Sequence, residues 1–232
     1  MADLSARVAT FNAQGAKYGP QWTDARADAI AARIRDARSS LVCLTEAGER
    51  ERYHLRDRLS GRARTRVTVR SDTTCQAILY DAQKWARITP PATFTCSPTP
   101  YHGAVWATFR HLASGIDVLV CCVHLPASNV TDEAGRRRNA AVIAKRIGNP
   151  RRAIIAGDFN SSRAPAWFPT FTDPRTSAVR RTGGQLRTSD PDGPGRAIDH
   201  VLVRGLTPLT YEVRDGRPSD HQSVAVGFTS RP

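Results

Sequence analysis

The sequence predicts an α/β (α+β) chain in which two β-sheets pack together with helices on the outside. Three observations support this. Short apolar segments rich in β-branched residues recur along the whole chain and outnumber helical stretches several to one. The two helical stretches fall between strands, one in each half of the chain. Many of the apolar segments also end at, or are broken by, a polar residue able to do chemistry.

In chain order, the strands are read at Ala6–Asn12, Leu41–Glu46, Arg66–Arg70, Gln76–Tyr80, Ala104–His111, Ile116–His124, Ala153–Asp158, Ala197–Val203 and Ser223–Phe228. A helix over Thr23–Arg38 places Ala27, Ile30, Ala31 and Ile34 on one face. A second, over Thr131–Ile147, does the same with Ala140, Ile143 and Ile147. Each opens on Thr or Asp, residues that cap orphan amides at a helix start. Arg180–Arg196 (RRTGGQLRTSDPDGPGR) is rich in Gly, Pro and Arg and reads as a long loop. No linker or repeat divides the chain, so residues 1–232 are expected to form a single domain.

Composition narrows the function class. With 40% hydrophobic and 24% charged residues, the chain is ordinary for a globular protein. No apolar run approaches the roughly 18 residues needed to span a membrane. The start, MADLSARVATFN, lacks the basic-then-apolar layout of a signal peptide. A cytoplasmic location is the default, with an exported form expressed without its leader as the alternative. A monomer is expected. Of the five cysteines, Cys43, Cys121 and Cys122 sit in apolar strand-like runs as buried thiols, whereas Cys75 and Cys96 could pair in an oxidising compartment. No spacing resembles a zinc site.

The basic excess is large: 34 Lys and Arg against 21 Asp and Glu give a net charge of +13. Such a surface suits a polyphosphate partner, because binding releases the counterions of each neutralised phosphate. Almost all of it is Arg, with Lys only at 17, 84 and 145, a skew that GC-rich coding also produces. Arg136 on the second helix, and Arg181 and Arg187 in the long loop, are the expected contacts to substrate phosphates. A solvated helix face and a plain surface loop are the alternatives for these arginines.

The polar interruptions carry the chemistry. Asn12 ends VATFN, Glu46 ends LVCLTE and His124 ends VLVCCVH; Asp158 and Asn160 follow AIIAG, Asp199 breaks RAIDHVLV, and Asp220 and His221 precede QSVAVGF. A carboxylate or imidazole at the end of a buried strand is costly unless something pairs with it. Arriving together at one edge of a double sheet, these residues would line a single polar pocket. Hard oxygen ligands without a thiolate suit Mg²⁺, with Mn²⁺ or Ca²⁺ as alternatives. Histidines beside such a site suit proton transfer near neutral pH. Phosphoryl chemistry needs this combination: a cation to offset charge, a base for water and an acid for the leaving oxygen.

At these residues the chain resembles the endonuclease/exonuclease/phosphatase superfamily, on the blocks VATFN, LVCLTE, VCCVHLPAS, IIAGDFNSS, AIDHVLV and PSDHQSVAV, which follow one another from residue 8 to 226. The resemblance implies a four-layer αββα sandwich of the deoxyribonuclease I type. It implies that Glu46 is the principal metal-binding carboxylate, helped by Asn12 and Asp220. Asp158 and Asn160 would orient the attacking water and hold the scissile phosphate, with His124 and His221 flanking it and Asp199 orienting His221. The deoxyribonuclease I branch supports its first histidine with a Glu near the start of the strand written here CQAILY, where this chain has Thr74 and Gln76. Asp199 is followed by His200, read as a structural histidine pointing into the sheet. Trp167, Phe168 and Phe171 are read as packing the loop after GDFNSS against the core. His124 resembles the deoxyribonuclease, sphingomyelinase and phosphatase branches, and the basic charge favours a nuclease acting by in-line attack of water, on DNA before RNA. The alternatives are a phosphatase or phosphodiesterase of a small phosphorylated metabolite or lipid head group, and a non-catalytic nucleic-acid-binding module.

Overall fold

The computed structural model describes residues 3–15, 21–63, 65–68, 75–96, 101–175, 180–182, 188–189 and 195–230. Thr74, Arg187 and most of the Arg180–Arg196 stretch lie outside the described residues.

Among the described residues, thirteen strands form two mixed sheets. The first contains β1 (Ser5–Asn12), β2 (Leu41–Thr45), β3 (Thr65–Thr68), β4 (Ala77–Asp81), β10 (Arg180–Thr182), β12 (Thr207–Arg214) and β13 (Ser223–Thr229), in the order β10-β12-β13-β1-β2-β4-β3. The second contains β5 (Trp85–Arg87), β6 (Ala92–Thr95), β7 (Gly103–His111), β8 (Asp117–His124), β9 (Ala153–Asp158) and β11 (Asp199–Arg204), in the order β11-β9-β8-β7-β5 with β6 also on β7. Strands β4, β7, β8, β9, β11 and β13 fall where the sequence places them, to within a residue or two at each end.

Three apolar clusters correspond to the three interfaces of a four-layer sandwich. The middle one fills the space between the sheets with Val8, Ile78, Phe109, Val120, Ile154 and Val226. Helix α1 (Asp24–Asp36) lies against the first sheet, burying Ala27, Ile30, Ala31 and Ile34 beside Val42 and Leu44. Its start is fixed by the Thr23 hydroxyl, which accepts from the Arg26 amide. Helix α3 (Glu133–Ile147) covers the second sheet with Ala140, Ile143 and Ile147, is capped by Asp132 at the Gly135 amide, and ends at Gly148 with φ +69°. Phe168 packs in this layer edge-on to Phe159 and Phe171, as the apolar cluster after GDFNSS suggested.

Helix α2 (Glu49–Ala63) has no counterpart in the sequence reading. Its ERERYHLRDRLSGRA offers only Leu55 and Leu59 as buried large apolar residues, too few to show a helical period. Docking rests on those two leucines, each worth roughly 1.5–3 kcal/mol when buried, and on Arg58, which donates to Asp24 and Asp28 of α1. Strand β12 also went unread: only Tyr211 along it is fully buried, so it lacks the alternation of a half-buried strand. No cysteine is bridged to another, so Cys75 and Cys96 do not form the disulfide considered from the sequence. No helix of the described residues is long and apolar enough to cross a membrane.

Candidate active site

Strand direction brings the polar strand ends together. β1 and β2 run parallel, pairing Asn12 with Thr45, so Asn12 and the following Glu46 emerge at one edge of the first sheet. β8 and β9 are also parallel, pairing His124 with Asp158. β11 runs antiparallel to β9, so its first residue, Asp199, lies opposite Asp158. β13 runs antiparallel to β1, so His221, just before it, enters from the same edge.

Backbone details make the close approach possible. Gly157, with φ +151°, lies so near β8 that a Cβ there would sit 1.8 Å from the Val123 carbonyl oxygen. Any side chain would therefore push Asp158 away from His124. Glu46 and Asn160 take left-handed conformations at φ 52° and 50°, turning the chain sharply at the ends of β2 and β9.

Asn12 is the hub. It is fully buried, and its Nδ2 donates to Glu46 Oε1 at 2.9 Å and to Asp158 Oδ2 at 3.1 Å. Its Oδ1 accepts from the Gln14 amide at 2.9 Å, which fixes the amide orientation. Asp158 Oδ1 accepts from the Asn160 amide at 2.8 Å, leaving Oδ2 to face the pocket. The Asn160 side chain donates to the Leu125 carbonyl at 2.8 Å, so one of its amide hydrogens ties the loop after β8 in place.

The two histidines face the same carboxylate from opposite sides. His221 Nε2 and His124 Nε2 each lie 3.7 Å from Asp158 Oδ2, and His124 Nε2 is also 3.7 Å from Glu46 Oε1. Their environments push them apart. Burial works against the charge on His221, but Asp199 and Asp158 outweigh it and raise its pKa to about 10. Its Nδ1 donates to Asp199 Oδ2 at 2.8 Å. Burial depresses His124 well below the usual histidine range, aided by His102 and His221. Its ring lies against His102 with centroids 4.5 Å apart, and its Nδ1 is buried without a partner.

Burial also raises both carboxylates, Glu46 against the Asn12 hydrogen bond, and Asp158 to about 7 with Asp199 adding to the push. Glu46, His124 and Asp158 each bring a ligand atom within 4.8 Å of the others, as do Asp158, Asp199 and His221. Of the two groups, the first suits a divalent cation. It offers two hard carboxylate oxygens and a neutral imidazole, whereas in the second His221 is itself cationic.

The remaining predicted residues stand differently. Asp220 is exposed at the rim, coupled electrostatically to Glu46, His221 and Arg26 rather than placed in the inner cluster. Arg136 is buried, at 6% exposure. Its guanidinium donates to Glu133 and to the carbonyls of Thr131 and Pro126, so the protein itself occupies the donors expected to meet substrate. Arg181 lies on edge strand β10, its side chain outside the described residues, as is Arg187. His200 is buried, donates to the Ser161 carbonyl at 2.7 Å and packs edge-on to Phe159, as a structural histidine should. Gln76 is buried and donates to the Tyr101 carbonyl.

Several supporting residues escaped the sequence reading. The Ser219 hydroxyl donates to the Asn12 carbonyl at 2.6 Å and accepts from the His221 amide at 3.1 Å, so it sets the height of His221. Thr188 Oγ1 accepts from the amides of Ile198 and Asp199. Arg26 reaches from α1 to the carbonyls of Pro218, Ala13 and Gln14, clamping two site loops. Only the SDH block hinted at any of these, since a Ser two residues before a strand-entering His can close a turn on that residue's amide.

Solved structures with this architecture include an endonuclease/exonuclease/phosphatase from Bacteroides vulgatus, at TM-score 0.80 and 21% identity over 97% of this chain and 98% of that one. A mannosyl-6-phosphatase of Bacteroides thetaiotaomicron matches at TM-score 0.78 and 19% identity, over 97% and 99%. TDP2 of D. rerio, complexed with a single-strand DNA product, matches at TM-score 0.72 and 15% identity, over 97% and 98%. At such identities the likeness shows a shared fold. No curated protein matches the chain significantly in sequence. The sequence profile described as the Endonuclease/Exonuclease/phosphatase family matches residues 9–221, a stretch that includes every residue of the pocket, and the chain belongs to that family.

Proposed function

We propose that the chain is a divalent-metal-dependent phosphodiesterase that cleaves nucleic acid, DNA in preference to RNA. The observation that carries this reading is the pair of histidines held in opposite protonation states on either side of Asp158. Titratable groups driven apart by their surroundings mark acid and base roles. Glu46, with His124 beside it, would hold Mg²⁺, which when bound offsets charge on phosphate oxygens.

The protein's own groups divide the remaining work. Asp158, anchored at Oδ1, uses Oδ2 to orient a water and accept its proton as the new O–P bond forms. His221, kept charged by Asp199, donates the Nε2 proton to the leaving oxygen as the ester P–O bond breaks. His124 flanks the phosphate from the other side, and Asn12 holds the Glu46 and Asp158 carboxylates at a fixed separation. The net charge of +13 favours a polyanionic substrate. A phosphatase acting on a small metabolite is the second reading, supported by the likeness to the mannosyl-6-phosphatase fold.

The test is incubation with supercoiled plasmid and Mg²⁺ or Mn²⁺, with EDTA and Asp158→Ala as controls. Nicking abolished by both controls supports the nuclease. Intact plasmid alongside phosphate release from sugar phosphates would replace it with the second reading.

A further inference from the structure

Beside the catalytic loops lies a groove of about 770 Å³, walled by the first turns of α3 and by residues between Ser162 and Arg175. Glu133, Arg137, Arg163, Trp167, Asp173 and Arg175 bring charge and an indole to its lining. The charges are not equivalent. Arg175 is paired with Asp173 at 2.8 Å. Glu133 is held by Arg136 at 2.8 Å and by the Ser161 hydroxyl at 2.6 Å. Arg137 and Arg163 are exposed, and among the described residues neither guanidinium makes a hydrogen bond or a salt bridge, although the Arg163 charge is felt by Glu133. Two guanidiniums therefore keep their donors free of partners among the described residues, beside a partly exposed tryptophan.

The groove adjoins the site through the chain itself. Ser162 lies four positions after Asp158, a stretch that spans at most about 14 Å when extended. The Ser161–Glu133 and Asn160–Leu125 hydrogen bonds tie its two walls to the loops that carry Asp158 and His124. A second groove with two arginines, Arg151 and Arg152, opens near the start of β8, at the far edge of the sheet from the site.

We infer that the α3 groove is the subsite for the phosphate flanking the scissile one in a single-stranded polynucleotide, with Arg137 and Arg163 as its ligands and Trp167 as the face for the adjoining base. This inference rests on the nuclease reading above. Two guanidiniums with free donors match one phosphodiester, and a partly exposed indole accepts a base only where that base is unstacked from a partner strand. The groove thereby also assigns a direction, with the bound strand leaving the pocket across Ser162 towards α3.

The test compares a thymidine dinucleotide, which has a single internucleotide phosphate, with a thymidine hexanucleotide. Wild type is expected to favour the hexanucleotide at least about tenfold in kcat/KM. In Arg137→Gln/Arg163→Gln the advantage shrinks to within about twofold, chiefly through KM, and the salt dependence flattens by about one unit of slope per arginine. Arg35→Gln/Arg87→Gln, which removes the same charge elsewhere, keeps the wild-type preference. Anisotropy of labelled hexanucleotide in EDTA should show the same loss of affinity without turnover. Equal length preference in wild type and the groove variant overturns the subsite alone. If both oligonucleotides stay intact while bis(4-nitrophenyl) phosphate is hydrolysed, the nuclease reading falls, and the subsite with it.

Discussion

The two sides of the pocket are built on different principles. On one side, His221 is held by Asp199 at Nδ1 and by Ser219 at its backbone amide, and Asp199 and Asp158 favour its charged form strongly enough to outweigh burial. On the other, His124 has no partner at Nδ1 among the described residues and leans on a second imidazole, and burial, His102 and His221 together favour its neutral form. One carboxylate, Asp158, serves both. The contrast shows that two chemically identical side chains are driven to opposite charge states by the charges and burial around them.

That contrast can be broken most completely at the shared carboxylate. Asp158→Ala should lower kcat by at least about 100-fold, as should His124→Ala, in line with losses of positioned acid–base groups. Steady-state turnover of a phosphodiester near-normal in either variant would remove that residue from the mechanism. Asp199→Asn should cost somewhat less, on the order of tens of fold, and should carry a pH signature. Without Asp199 the His221 pKa falls from about 10, so activity that needs the imidazolium should fail at lower pH. An alkaline limb in the same place as wild type would show that the Asp199 carboxylate does not maintain that charge.

On the other side, His102→Phe retains a ring against His124 and removes the second imidazole. A loss of less than about tenfold is expected, seen in kcat rather than KM, because burial alone still keeps His124 neutral. The smallest effect on turnover should come from His200→Gln, within about threefold, because that ring is directed at the Ser161 carbonyl. Its signature is in stability instead. Burial lowers the His200 pKa from 6.5 to about 4, so between those values the unfolded chain binds a proton that the folded chain does not. The histidine's contribution is complete above about pH 6.5 and is lost as pH falls towards 4. Denaturant titrations across that window should show a shallower acid loss in the variant, and an unchanged slope would contradict it.

Most of the pocket was legible in the sequence because each of its residues ends an apolar strand, and a buried polar strand end needs a partner. Asn12, Glu46, His124, Asp158, Asp199 and His221 all carry that signature. What stayed hidden depends on contacts between distant segments. Arg136 reads as a surface cation on a basic helix, yet Glu133 and two loop carbonyls draw it inward. Arg26 and Thr188 look like ordinary helix and loop residues until the loops they clasp are folded beside them. Helix α2 escaped because two buried leucines are too few to show a helical period, and the ion pairs of Arg58 that accompany them have no period along the chain.

Asn12 donates to a residue following β2 and to one ending β9, and His221 meets Asp199 across the same divide. Neither sheet holds a working set of groups by itself. Catalytic competence is therefore a property of the interface between the sheets, so heat or denaturant should abolish turnover in step with global unfolding rather than ahead of it. The enzyme's own reaction rate would then serve as a gauge of whether its two halves are still locked together.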